Sequence, residues 1–357
     1  MASTARPTIA DVARAAGVSR GAVSFALNGR PGVSESTRAR ILRVAEEMRW
    51  QPDHRARSMR GRRVGAVGLV LHRSADTIAD DPFFASLIAG VESVVSRQAW
   101  SLVLDVVAGD EEERAAYERL ARERRVDGVL VTDLRVDDPR IGWLVDLRLP
   151  AVTLQRPSAP SPFPAVRADD AGGVRAVVRH LVGLGHRRVA HVAGPADLEH
   201  GLRRRRALEE ELAACGLEPV AVLETDFTAA AGARATAQLL DLAEPPTAVV
   251  HASDPMALAG LGVASARGLR LPEDLSVTGF DDVELAAHVH PALTTLRTDS
   301  RRWGALAATA LVDLLARTDG TDGASSAAPG DERHDVLLPP VELVVRGSTA
   351  PPPAPAA

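Results

Sequence analysis

The chain has no lysine: all 42 of its basic residues are arginine. That absence removes whole classes of chemistry, since a Walker A phosphate loop, a Schiff-base amine and the strand lysine of a protein kinase all need one. A single cysteine, Cys215, excludes an intramolecular disulfide and any multi-cysteine zinc site, and reads as a small core residue. No run of about eighteen uncharged apolar residues is present, and the first residues hold no apolar stretch of signal-peptide length, so the sequence predicts a cytoplasmic chain with no membrane span. No dinucleotide G-x-G-x-x-G follows the first strand-like run, because Gly65 and Gly68 lie inside it. Neither cofactor, metal nor catalytic residue is expected. His288 and His290 alternate in a loop with no further ligand cluster, and Gly17-Val18-Ser19-Arg20-Gly21 fits the hydrolase G-x-S-x-G pattern without the strand that must precede it.

What the chain does have is 357 residues, 46% of them apolar, enough for two or three globular domains. Its net charge of −5 is segregated. Residues 1–63 carry 13 arginines against five acids, and the remainder carries 29 against 42. A basic head on an acidic body is the pattern of a protein that meets phosphate with one end only.

Within that head, residues 8–28 read as two short helices joined by a tight turn, the geometry that puts a helix into the DNA major groove. Thr8 is the N-cap, with Asp11 in the capping-box position. Ile9, Val12 and Ala13 share one face, and Gly17 stands where the chain must reverse. Ser19 caps the second helix, in which Ala22, Val23, Ala26 and Leu27 pack inward. Arg20, Gly21, Ser24, Phe25 and Asn28 are left outward. A third helix starts near Ser34 or Thr37, carries Ile41, Leu42, Val44, Ala45 and Met48 as its apolar stripe, and stops at Pro52. Asp53 to Arg63 is too short and too self-repelling for a stable lone helix and reads as a hinge that orders on DNA.

After residue 63, short buried strands alternate with amphipathic helices, which predicts doubly wound parallel sheets. Strand-like runs fall at 64–71, 101–106, 128–132 and 151–154, and the alternation restarts at 188–193, 220–223, 247–252 and 275–279. Two α/β lobes follow from this, with one crossing at Pro157 to Pro164 and another at Leu293 to Asp299. Ligands of such sheets bind beyond the carboxyl ends of the strands, in a cleft closed by hinge motion. Asp319 to Gly330 reads as a surface insertion.

Several blocks then carry a resemblance: the D-V-A-x-x-A-G-V-S pattern from Asp11 to Ser19, Pro52-Asp53-His54-Arg55-Ala56-Arg57-Ser58-Met59-Arg60, Asp81-Pro82-Phe83-Phe84, Arg125-Val126-Asp127-Gly128, and His180 to Arg188. Ser253-Asp254-Pro255-Met256-Ala257, Ser276 to Asp282 and Pro291 to Thr295 complete the set. Over roughly residues 7–347 the chain resembles the lactose-repressor (LacI/GalR-type) family of transcriptional regulators. The resemblance implies an N-terminal all-α helix-turn-helix head (1–51), a hinge (52–63) and an α/β two-lobed periplasmic-binding-protein-like core (64–347), with a disordered tail at 348–357. Lobe 1 would span about 64–160 and 297–320, and lobe 2 about 165–293 and 330–347. It further implies a homodimer on a pseudo-palindromic double-stranded DNA operator, with no membrane association. Base reading would fall on Arg20, Gly21 and Phe25, and phosphate contact on Thr8, Ser19, Ser24 and Asn28. Arg57 and Met59 would enter the minor groove, Met59 standing where the family has leucine. An effector, a sugar or sugar phosphate, would be held by Phe83, Arg204, Ser253, Asp254 and Asp281, with the choice among Arg203 to Arg206 open. A solute-binding protein of transport shares such a body, but it needs an export signal and has no use for a basic head.

Overall fold

The computed structural model describes residues 7–27, 31–48, 50, 63–73, 77–78, 81–318 and 335–353. They fall into two compact units, Met1–Val64 and Gly65–Ala357. The expected hinge, with Arg57 and Met59, lies outside the described residues, as do Asn28 and the 319–334 insertion.

Three helices make the head: α1 (Ile9–Ala15), α2 (Arg20–Leu27) and α3 (Glu35–Glu47). The Asp11 carboxylate accepts from both the backbone N–H and the hydroxyl of Thr8, at 2.9 and 2.7 Å, which pins the start of α1. Gly17 turns the chain at φ +63°; a Cβ there would meet nothing within 4 Å, so backbone conformation and not space calls for glycine. Ser19 Oγ accepts from Ala22 N and Ser34 Oγ from Thr37 N, which makes Ser34 the cap of α3. Val12, Ala13, Ala16, Val23, Ala26, Ile41 and Ala45 form the small core. Leu42, expected on the α3 stripe, is exposed, because it sits one residue past the buried Ile41 on a helix with a narrow contact face.

In the body, lobe 1 is a six-stranded, all-parallel sheet of β1 (Ala66–His72), β2 (Ser101–Val107), β3 (Gly128–Val131), β4 (Ala151–Leu154), β5 (Ala165–Arg167) and β11 (Val336–Leu337), in the order β2-β1-β3-β4-β5-β11. Lobe 2 is a parallel sheet of β6 (Val189–Ala193), β7 (Ala221–Glu224), β8 (Ala248–His251) and β9 (Ser276–Thr278), in the order β7-β6-β8-β9. β10 (Thr295–Arg297) pairs antiparallel with β12 (Glu342–Val344). The central strands β1, β3 and β4 are buried almost throughout, as sheets covered on both faces require. Helices of lobe 1 include α4 (Pro82–Val95), α5 (Asp110–Arg122), α6 (Pro139–Asp146) and the long returning α11 (Ser300–Thr318). Lobe 2 contributes α7 (Asp170–Gly183), α8 (Glu199–Ala214), α9 (Ala229–Leu240) and α10 (Asp254–Ala266).

Three sequence expectations need correction. Residues 165–167 and 336–337 belong to the sheet of lobe 1 and not to lobe 2, so the first crossing follows β5 and a third lies between β11 and β12. Polar strand edges, not the proline-rich stretch, decide where the chain leaves the sheet. The tail does not become disordered at Ser348. Its side chain is fully buried, donating to Val277 O and accepting from Thr294 N, while His186 Nε2 donates to Ala350 O. Cys215 is exposed, because it caps the carboxyl end of α8 on the solvent side.

Candidate functional sites: the recognition helix and the inter-lobe cleft

On α2, Arg20, Gly21 and Phe25 are exposed, Phe25 by 40%. Their common face begins at the helix N-terminus, where the backbone amides point outward and favour phosphate. Ser19 and Thr8 are exposed beside it. Ser24 is not part of this face: it is 8% exposed, turned toward the core between Val23 and Ala26. A serine is small and polar enough to read either way from periodicity.

The cleft between the lobes encloses about 690 Å³, within the range of small-molecule pockets. Its wall is built at the carboxyl ends of the parallel strands. Arg73 follows β1, Thr132 and Asp133 follow β3, Gln155 follows β4, Ala252 and Ser253 follow β8, and Asp281 lies three residues beyond β9. Aromatic surface comes from Phe83, Phe84 and Trp303 on lobe 1, with the ring of Phe83 edge-on to both of the others, and from Phe227 on lobe 2. His200 stacks on Phe227 at 5.3 Å, and the Arg73 guanidinium lies 5.5 Å from the centre of the same ring.

The run of four arginines separates cleanly. Arg203 makes two bonds to Asp170, at 2.7 and 2.8 Å. Arg204 donates to Ala252 O at 3.0 Å and lies with its guanidinium 3.5 Å over the ring of Phe280. Both line the cleft, whereas Arg205 pairs with Glu209 on the outside of α8 and Arg206 lies away from the cleft. Arg204 Nε and Ser253 Oγ are buried without a hydrogen-bond partner, a costly state that a bound ligand would relieve.

Of the five expected effector residues, Phe83, Arg204, Ser253 and Asp281 meet in the cleft. Asp254 does not. It is fully buried at the start of α10, where one carboxylate oxygen accepts from Thr295 Oγ1 at 2.5 Å and the other from Val283 N at 2.8 Å. Burial pushes its pKa up to about 8, and its role is to brace the turn that presents Asp281. Burial and the nearby Asp281 carboxylate likewise raise Asp81, to about 6. Asp133 is held low in spite of burial, because Arg73 bonds it at 2.8 Å. Burial depresses His200 to about 3, which leaves it neutral.

Loop 133–138 of lobe 1 meets residues 197–199 of lobe 2 directly: Val136 N donates to Asp197 O and Glu199 N to Leu134 O, both at 2.8 Å. Buried ion pairs fix that loop. Arg140 bonds Asp138 and Glu113, and Arg135 bonds Glu113 and Asp110. His72, Asp110 and Glu113 lie close enough together to suggest a metal site, but the Arg135 guanidinium contacts all three and supplies the cation.

The model of bacterial regulatory proteins of the lacI family matches residues 8–53, and that of the periplasmic binding protein-like domain matches residues 178–349. The HTH-type transcriptional regulator CelR of Thermobifida fusca is 36% identical over 314 residues, covering 87% of this chain and 92% of that protein. The chain belongs to the lacI family. It is therefore a DNA-binding transcriptional regulator and not an enzyme. The repressor PurR of Aliivibrio fischeri is 33% identical over 87% of this chain and 93% of its own length. Among solved structures, a CelR–cellobiose complex matches at 34% identity and TM-score 0.71, covering 96% of this chain and all of that one. A lac repressor dimer bound to operator and the anti-inducer ONPF matches at 29% identity and TM-score 0.84, over 97% of this chain and all of that one. No helix among the described residues is long and apolar enough to cross a membrane.

In this lacI-family chain, sequence reasoning missed Arg73, Asp81, Asp133, Gln155, His200, Phe227 and Trp303 as wall residues. A signal for three of them was present. Arg73, Asp133 and Gln155 each stand within two residues of the carboxyl end of a strand, where ligands of parallel sheets bind.

Proposed function

We propose that this regulator is a cytoplasmic homodimeric repressor of a pseudo-palindromic operator whose DNA affinity is set by a sugar bound between the lobes. The observation that carries the effector half is the cleft wall, which combines aromatic faces with carboxylates and guanidinium groups suited to the faces and vicinal hydroxyls of a saccharide. The similarity to CelR in complex with cellobiose agrees with that choice. Arg20 is the proposed guanine reader, its fork reaching O6 and N7, with Phe25 against a thymine methyl and Gly21 leaving room. Thr8, Ser19 and Asn28 are proposed phosphate contacts, and Arg57 with Met59 the minor-groove elements. Ligand bound to both lobes favours one lobe arrangement over another and so shifts the population able to hold the operator.

The test is selection of bound sequences from random duplex DNA with the full-length protein, repeated with pooled neutral and phosphorylated sugars. An enriched pseudo-palindrome whose recovery changes with one pool is the expected result. Enrichment that no sugar pool alters would overturn the effector assignment, and absence of any enriched sequence would overturn the operator assignment.

A further inference from the structure

The charges of the cleft are not evenly matched. Three guanidinium groups face it, and each is engaged by the protein itself. Arg73 is bonded to Asp133, Arg203 is held by Asp170 through two bonds, and Arg204 is tied to Ala252 O with its Nε 3.5 Å from Asp170. His200 is neutral. Against them stand Asp81, where lobe 1 starts α4, and Asp281, in the turn after β9 of lobe 2. Asp81 accepts from Phe83 N at 3.0 Å and Asp281 from Thr298 Oγ1 at 2.8 Å. Neither carboxylate forms an ion pair among the described residues, although Arg73 and Arg204 lie near enough to be felt. In sequence, the stretch from Ser74 to Asp80 adds two acids, Asp76 and Asp80, and no base.

Two carboxylates facing each other from opposite lobes resist closure of an empty cleft, and their mutual repulsion shows in the raised pKa of Asp81. A phosphate or carboxylate group would add like charge to a partly buried site that has no unengaged cation to receive it. Hydroxyl groups do the opposite, because each can donate a hydrogen bond to an ionised carboxylate and supply the partner it lacks. We propose that Asp81 and Asp281 select an uncharged saccharide, whose hydroxyls bridge the two lobes through these two carboxylates, and reject its phosphorylated and carboxylated counterparts. The proposal rests on the saccharide reading above and narrows it.

The experiment is calorimetric titration of the full-length protein with two matched sets: glucose, galactose, cellobiose, lactose and maltose, then their 6-phosphates and uronic acids. A neutral sugar should bind, and its charged counterpart should bind at least 100-fold more weakly. Asp81→Asn, which keeps an oxygen to cap α4, should weaken the neutral sugar about tenfold while shrinking the gap to its phosphate. Affinity of the unaltered protein for the neutral sugar should rise from pH 5 to 7 as Asp81 ionises, and Asp81→Asn should flatten that rise. The groups facing Asp81 are Asp281, Asp133 and Arg73, none of which is placed to titrate over the same range in the direction required. A charged sugar that binds as tightly as its neutral parent, or an Asp81→Asn variant with an unchanged gap, would overturn the proposal and leave the saccharide reading standing. If neither set binds while purine bases or nucleosides do, the saccharide reading itself fails and the proposal falls with it.

Discussion

Single residues divide into those that read, those that bind and those that hold other residues in place. Arg20 is the reader: exposed at the start of α2, it has the one side chain of the outward face with a bidentate donor fork. Arg20→Ala should relax discrimination at one operator base by about 1–3 kcal/mol while leaving binding to random DNA nearly unchanged. Competition titrations on point-substituted operators check this, and equal weakening on operator and random duplex would make Arg20 a phosphate contact instead. Asp254 is a holder, and its chemistry gives a sign. Its pKa is raised from an unfolded value of 3.8 to about 8, so between those values the folded chain keeps a proton that the unfolded chain has lost. Stability therefore falls as pH rises through that window, by up to about 1.4 kcal/mol per unit. Between pH 6.5 and 8 neither Asp81 nor the buried histidines titrate strongly, so the decline there should vanish in Asp254→Asn when urea midpoints are compared.

At the scale of elements, the cleft is a product of where strands end. Parallel strands in both sheets deliver their carboxyl ends to one rim, and the residues just beyond them become the wall whatever their role in the strand. Gly194, directly after β6, shows how tight that rim is. A Cβ at this position would lie 2.1 Å from Cζ of Phe227, the ring that carries His200 and faces Arg73. Gly194→Ala must displace Phe227, so effector affinity should fall about tenfold and stability by about 1–3 kcal/mol. Titration with the effector and thermal unfolding of the same preparation separate the two effects. An unchanged affinity would show that Phe227 is not a contact surface for the ligand. The same logic explains Ser348 to Ala350: their sequence is that of a tail, yet the hydroxyl and carbonyl groups at the end of lobe 2 offer them partners.

Across the whole molecule, buried histidines set the acid limit. His191, His200 and His251 are held neutral by burial, at pKa values of about 4, 3 and 3. Their folded values lie below the unfolded 6.5, so the stability they permit is complete above pH 6.5 and is lost as pH falls toward 4. Asp81 works in the opposite direction between pH 4 and 6, but it is one proton against three. Urea midpoints should therefore drop between pH 7 and 5, and an unchanged midpoint would show that these rings are reachable by protons in the folded state.

What the sequence determined by itself is whatever depends on neighbours along the chain. Caps at Thr8, Ser19 and Ser34, the turn at Gly17, the alternation of strands and helices, and the charge difference between head and body all rest on local spacing or simple counts, and the family blocks repeat those local patterns. Even so, local spacing misplaced Ser24 and Leu42, because a short helix shows little margin between its buried and exposed faces. Only the tertiary structure decided which arginine of four turns inward, since that depends on Asp170 and Phe280, which are distant in sequence. It also decided that Asp254 braces a turn while Asp281 faces the cleft, and that Asp81 and Asp281 oppose each other from separate lobes. The physical reason is common to all three: a charged side chain takes its role from the partner that desolvation forces it to find, and that partner is supplied by folding, not by sequence position.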